Sequence, residues 1–238
     1  VSGAGTVRLN GWSTSVNAAD AAEGCYRLTN NNNTFSGEYQ LVDSQASAAD
    51  RTVTLYLAAE NAAKDATINL ATTAGKGQLV LESNATIHAL KGGAGNGNVV
   101  KATGDYTLTV SEGDFGGALE DDGDNQLSLI KQGTGTLILR GANTYTGGTT
   151  INGGTLQLAN AATLASHVTV NEGALFRLEA TGAKTFAKTI SGAGSVEKTG
   201  AGTLTLTGAN TYTGATTVSG GTLELTGAVS MNAAEPAE

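Results

Sequence analysis

The residues whose types invite chemistry are few: two histidines, His88 and His167, one cysteine, Cys25, and one acidic run from Asp114 to Asp124. A catalytic histidine needs a nucleophile or substrate on one ring nitrogen and an orienting acid on the other. His88 and His167 lie far apart in the chain, each in a strand-like context (Ile87-His88-Ala89 and His167-Val168-Thr169), with no acidic residue nearby in sequence. They read as solvent-facing strand residues. The acidic run offers the oxygen atoms that Ca²⁺ prefers, but not the ligand spacing of an EF-hand loop. It reads as a solvated, looped-out turn. A lone cysteine excludes an intrachain disulfide framework, and Cys25 reads as a half-buried small apolar side chain, with an intermolecular disulfide the weaker reading. The sequence therefore nominates no catalytic, cofactor-binding or metal-binding residue.

Composition narrows the class further. The 238 residues include 34 Gly, one Pro and one Trp, with 14% charged and 39% hydrophobic residues. That apolar share is enough for a core, and the Thr, Asn, Ser and Ala that fill the remainder suit strands and tight turns. A net charge of −8 with scattered Lys and Arg argues against nucleic acid or an anionic membrane as partner. No apolar run approaches the ~18 residues of a membrane span, so direct membrane insertion is not expected. The chain starts without Met, has no signal peptide before Val1 and stops in a polar tail, and it reads as an excised or processed piece. Gly92 to Val99 approaches the calcium-binding nonapeptide repeat, but Gly97 stands where Asp is required and the unit occurs once. It reads as a flexible turn.

What must position these residues is a series of short alternating segments. Val53–Leu57, Gln78–Leu81, Tyr106–Val110, Leu137–Leu139, Leu156–Leu158, Val168–Val170, Leu204–Leu206 and Leu223–Leu225 each put aliphatic residues on one face and polar ones on the other. Gly, Asn and Asp clusters separate them. Ala46–Arg51 and Ala58–Asp65 are the stretches where a helical turn is plausible. Equivalent positions recur at a coil length: Leu137, Leu156 and Leu175 follow one another at i+19, as do Leu204 with Leu223 and Ile68 with Ile87. Leu79 to Val99 is i+20 and Ile87 to Leu108 is i+21. Units of about 20 residues with two or three strands each predict an all-β, right-handed parallel β-helix. An antiparallel sandwich fits less well, because Asn-Gly and Asp-Gly hairpin turns are scarce; Asn152-Gly153 and Asp122-Gly123 are the main candidates. The Gly-Thr-Leu starts at Gly135, Gly154, Gly202 and Gly221 fit coils instead. Asn33, Asn143 and Asn210 are expected to stack at corners, with Phe35, Tyr145 and Tyr212 two residues later covering them.

One repeat dominates. Lys131–Leu158 matches Lys198–Leu225 without a gap at 20 of 28 positions. This predicts a super-repeat of roughly three coils with the extra residues looped out. The run Ile190 to Leu225 closely resembles the passenger-associated transport repeat, also called the autotransporter-associated β-strand repeat, of Gram-negative type V secretion passengers. The residues that carry the resemblance are Ser191-Gly192-X-Gly194, Lys198-X-Gly200-X-Gly202-Thr203-Leu204, Gly208 to Gly214 and Gly220-Gly221-Thr222-Leu223. A second copy covers Leu129 to Leu158, with Glu120 to Asn125 replacing the short Ser-Gly-X-Gly turn before it. Weaker echoes are Ser2 to Val7 and Asn33 to Gly37.

The resemblance implies a passenger at the cell surface or released from it, tethered in the full protein to a C-terminal outer-membrane β-barrel. It divides the chain into degenerate coils with insertions (1–125), a β-helix with the repeats 131–158 and 198–225 (126–226), and a polar tail (227–238). The serine-protease and lipase types of this secretion class would show Gly-Asp-Ser-Gly or Gly-Asp-Ser-Leu, and neither occurs here. The expected function is therefore non-enzymatic: adhesion or self-association, as in cell aggregation, biofilm formation and virulence. The partners would be a second copy, a host or matrix protein, or a glycan. A structural stalk serving secretion is the alternative, and a polysaccharide-active β-helix enzyme the weaker one. An ice-binding threonine array is disfavoured, because the outward positions vary: Thr136, Ile138 and Arg140 in one coil, Thr155, Gln157 and Ala159 in another.

Overall fold

The structure is a computed structural model, and it describes residues 2–10, 25–42, 52–70, 75–93 and 97–228. Every regular element in them is a strand, and every strand-to-strand pairing is parallel. The expected parallel β-solenoid is what the chain forms. Each coil returns the backbone one strand spacing (~4.8 Å) above its start. Of the two stretches read as possible helical turns, Ala58–Asp65 is a turn running into the strand Ala63–Asn69, and Ala46–Arg51 lies outside the described residues.

The solenoid changes cross-section along its axis. Tyr106–Phe115 is one long strand whose first half pairs with Leu127–Lys131 and whose last three residues pair with Thr136–Leu139. The sheet forks there. From that point each coil has three faces: Leu127–Lys131, Thr149–Ile151, Val168–Val170 and Ile190–Ser191 build the first. Thr136–Leu139, Thr155–Leu158, Leu175–Glu179, Ser195–Thr199 and Thr216–Val218 build the second. Ala142–Asn143, Thr163–Leu164, Lys184–Phe186, Thr203–Leu206 and Thr222–Leu225 lie along the third.

The register confirms some expected spacings and corrects others. Leu137 pairs with Leu156, and Leu204 with Leu223. Leu156, however, pairs with Phe176, one residue beyond Leu175, and it is Phe176 that enters the core. Ile68 pairs with Leu90 rather than Ile87; Leu79 pairs with Val100 rather than Val99; Ile87 pairs with Val110 rather than Leu108. Coil length varies by a few residues at the corners, and only the inward–outward alternation is fixed by burial.

One core cluster runs from Leu9 to Tyr212. Columns such as Leu137–Leu156–Phe176–Val196 fill it, each side chain contributing about 1.5–3 kcal/mol over exposure. Phe35, Tyr145 and Tyr212 are inside this core rather than lids over corners, with 4%, 0% and 1% exposure. The tyrosine hydroxyls are satisfied within it: Tyr145 with Thr149 at 2.6 Å, itself 2.6 Å from Ser166, and Tyr212 with Thr216 at 2.8 Å.

The corner asparagines bridge coils without stacking on one another. Asn143 accepts from the Leu119 N–H and donates to the Gly141 and Thr163 carbonyls, and its register partner is Leu164. Asn210 accepts from Ile190 and donates to Gly208; Asn33 accepts from Phe35 and donates to Ala62 and the Tyr39 hydroxyl. Asn98, not singled out from sequence, does the same between Gly77 and Gly93.

The super-repeat does not loop out its surplus. Climbing the first face, Leu129 pairs with Thr149, Thr149 with Val168 and Val168 with Ile190, so three turns end at Ile190. The repeat counterpart of Leu129 is Val196, six residues further, on the second face. The second copy is thus displaced by one face around the axis: its strand Ser195–Thr199 lies on the second face, whereas Leu127–Lys131 lies on the first.

Candidate interaction surface

The residues first considered for chemistry are dispersed. His88 is exposed on its strand with its Nε2 3.5 Å from Glu112 of the next coil, so an acidic partner exists that local sequence did not reveal. His167 is exposed and accepts the Thr189 N–H through Nδ1. Cys25 is half-buried, as expected. Of Gly92–Val99, residues 94–96 lie outside the described residues.

The acidic run is mostly not a looped-out turn. Asp114 and Phe115 end a strand and Ala118–Leu119 forms another; only Asp122 to Asn125 makes an excursion, closed by reciprocal backbone bonds of 3.1 and 3.2 Å. Its carboxylates serve different neighbours. Asp114 makes a two-bond pair with Arg140, Asp121 accepts from the Leu127 and Thr146 backbones and the Thr146 hydroxyl, and Asp122 meets Lys101 at 3.3 Å. Among the described residues, no three His, Cys, Asp or Glu gather as metal ligands do.

Two outward faces differ in chemistry. On the first, the register places Thr86, Thr109, Ile130, Thr150, Thr169 and Ser191 in one column, a nearly continuous row of hydroxyls without charge. The positions compared in the sequence belong to the second face, where Thr136 and Thr155 agree but Ile138 meets Gln157. Ala159, counted there as outward, is 6% exposed. The second face carries an ion-pair ladder: Arg177 bonds Glu197 at 2.7 Å and Gln157 at 3.5 Å, and Ser219 donates to Glu197 at 2.7 Å. Arg177, then Ser219, hold the Glu197 carboxyl below its usual range. Such half-exposed pairs add little stability, about 0–1 kcal/mol each, and serve mainly as surface pattern.

The least expected side chains point inward. Lys131 and Lys198 occupy core-facing ladder positions, between Val110 and Ile151 and between Leu178 and Val218, and both are 0% exposed. Lys131 donates to the Gln132, Gly133 and Gly153 carbonyls at 2.7, 3.4 and 3.0 Å. Lys198 donates to Thr199, Gly200 and Gly220 at 2.9, 2.6 and 2.9 Å. Each ammonium thus ties its own corner to the corner one coil above, using the three donors that only lysine carries on one atom. Period-two alternation through Leu127, Leu129 and Lys131 was the signal for this placement.

Burial brings Lys131 and Lys184 down to about 8, with Glu112 and Glu179 opposing the shift, and raises Tyr145 to about 12. Between pH 8 and 10.5 the unfolded chain holds lysine protons that the folded chain has released, so stability gains as pH rises. Above pH 10 the unfolded tyrosine ionises while Tyr145 does not, and stability is lost. Urea midpoints are expected to rise from pH 8 to about 10 and fall beyond; a profile declining steadily from pH 8 contradicts the lysine assignment.

The sequence finds matches among known proteins. The family model of the passenger-associated-transport-repeat matches residues 129–158 and 196–225. The adhesin BmaC autotransporter of Brucella suis biovar 1 (strain 1330) is 34% identical over 136 residues, covering 46% of this chain and 4% of that protein. The chain carries two copies of the passenger-associated transport repeat and is similar over 136 residues to an autotransporter adhesin. That similarity indicates a place at the surface of a Gram-negative cell or outside it. The chain spans a small fraction of the relative's length, and no solved structure matches it. The two matched segments, beginning at 129 and 196, start on successive faces of the solenoid, so the passenger repeat is a corner-and-strand unit rather than a set number of whole coils.

Proposed function

We propose that this chain is a passenger segment acting in adhesion or self-association, without enzymatic activity. The similarity to an adhesin autotransporter carries the reading. Long polar faces on a rigid stack support it: many weak hydrogen bonds along a hydroxyl column or an ion-pair ladder sum through multivalent contact between cells. Such an interface is wet, so single outward substitutions change it little. The full-length protein would present the segment from an outer-membrane β-barrel. Displaying the passenger on non-aggregating cells is expected to speed settling and increase adherence to surfaces; no change in either overturns the proposal.

A second reading, a stalk serving secretion and folding, is favoured by where the two copies of the repeat agree. Of the eight positions that differ between Lys131–Leu158 and Lys198–Leu225, only Ile151 (Val218 in the second copy) is in the core of the first copy. The shared residues build the interior and corners. Deleting Lys131–Leu158 separates the readings: lost export with unchanged binding per exported molecule supports the stalk.

A further inference from the structure

The third face is interrupted. Thr163–Leu164 pairs downward with Ala142–Asn143, and Lys184–Phe186 pairs upward with Thr203–Leu206, but among the described residues no backbone hydrogen bond joins Thr163–Leu164 to Lys184–Phe186. The cause is a change in length. Leu139, Leu158, Leu178 and Lys198 form one column at the end of the second face; Thr149, Val168 and Ile190 form one at the start of the first. The numbering advances by 10 from Leu139 to Thr149 and from Leu158 to Val168, but by 12 from Leu178 to Ile190. From Lys198 to Asn210, whose side-chain oxygen accepts from the Ile190 N–H, it again advances by 12. Coils of equal length pair on this face, and the ladder opens where the shorter connection gives way to the longer.

The opening is a groove of ≈ 340 Å³ lined by Asn160, Ala162, Leu164, Lys184, Phe186 and Lys188, among others. Leu164 and Phe186 supply an apolar floor, 7% and 3% exposed. Lys184 laces one end through the Ala159 and Glu179 carbonyls, and Lys188 stands at the other, without an ion pair among the described residues. Main-chain groups of successive strand residues point to opposite sides. Thr163 and Ala165 bond the coil below, which turns Leu164 toward the groove. Phe186 accepts from Thr207 in the coil above, which turns Thr185 and Ala187 toward the groove from the other bank.

We propose that this groove binds an extended acidic peptide, which enters as an added β-strand. Leu164 on one bank and Thr185 and Ala187 on the other turn main-chain groups toward the opening, and strand addition draws its affinity from bonds to such groups. Lys188 supplies the preference for a carboxylate.

The test uses a fluorescein-labelled octapeptide of alternating Thr and Val with Glu at both ends, a Lys-ended counterpart, and the Glu-ended peptide N-methylated at alternate residues. Fluorescence anisotropy with the whole chain is expected to show saturable binding of the Glu-ended peptide and at least tenfold weaker binding of the N-methylated one. A187P, which removes a groove-facing N–H from an exposed residue, is expected to weaken binding at least tenfold, and K188E to weaken the Glu-ended peptide without weakening the Lys-ended one. Hydrogen exchange is expected to slow at Leu164, Thr185 and Ala187. K188E, a surface change, keeps the test valid if A187P fails to fold. No binding by any peptide, or binding indifferent to N-methylation and K188E, overturns the proposal. A concentration-dependent dimer abolished by A187P overturns it too, in favour of a second copy as the occupant.

Discussion

Lys198→Met is expected to lower the stability of the chain by about 3–5 kcal/mol, read as a fall in the urea midpoint at constant slope. Met keeps an apolar stem of similar length in the core, so packing is nearly preserved. What disappears is the ammonium, and with it the donor for the Thr199, Gly200 and Gly220 carbonyls. The Thr199 carbonyl keeps the Ala180 N–H, so the Gly200 and Gly220 carbonyls are the ones left without a partner, and at about 1–3 kcal/mol each they account for the expected loss. Lys131→Met has the same sign, because Lys131 makes the same three contacts one face away. The two sites share no partner, so the double variant is expected to lose the sum within about 0.5 kcal/mol. A midpoint unchanged by either substitution means that water reaches these carbonyls and the lysines are not their keystone.

Gly154→Val is expected to cost about 3–5 kcal/mol, for two separate reasons. Gly154 has φ of +60°, where a β-branched residue is strained, and a Cβ there would press into the Gly135 carbonyl of the coil below. Its counterpart Gly221, at φ of +66° over Gly202, has the same geometry in the last described coil. Residues of that coil are largely exposed. In a stack each coil contacts only its neighbours, so Gly221→Val is expected to fray that end and leave the main transition nearly unchanged. Hydrogen exchange separates the outcomes: protection lost across Thr136–Leu158 for the first variant, and only beyond Thr216 for the second. Equal global losses for both argue against a nearest-neighbour stack.

Both predictions concern residues that the repeat shares, and they explain what the two copies keep in common. Gln132, Ile138, Arg140 and Gln157 differ from Thr199, Thr205, Thr207 and Glu224, and in the first copy these positions face solvent or are half-exposed. The displacement of the second copy by one face means that even identical outward residues, such as Thr144 and Thr211, do not align along the rod. A surface of many equal subsites on one side is therefore not what duplication produced here. The uncharged column from Thr86 to Ser191 arises instead from residues of successive coils, most of them outside the matched segments' equivalences.

Legibility from sequence followed the strength of each local signal. Alternation marked Leu137–Leu139 and Leu204–Leu206 as inward-facing strands, and their partners Leu156 and Leu223 followed by spacing. The same reasoning chose Leu175 over Phe176 because corners of unequal length shift the register by one residue, which counting leucines cannot detect. Alternation pointed Lys131 inward, but what lets Lys131 and Lys198 stay buried was not legible, since it depends on carbonyls a full coil ahead at Gly153 and Gly220. His88 found Glu112 by the same long-range route.

By itself the sequence determined the all-β solenoid, the coil length and the passenger-repeat class, because period-two alternation, glycine-marked corners and a gapless duplication are local properties of the chain. The tertiary structure alone decided which face each residue occupies. Face assignment accumulates every corner's length along the axis. The second copy therefore overshoots three turns by one face, and one lengthened connection opens the third face between Leu164 and Lys184. Stacking, not local preference, sets that sum.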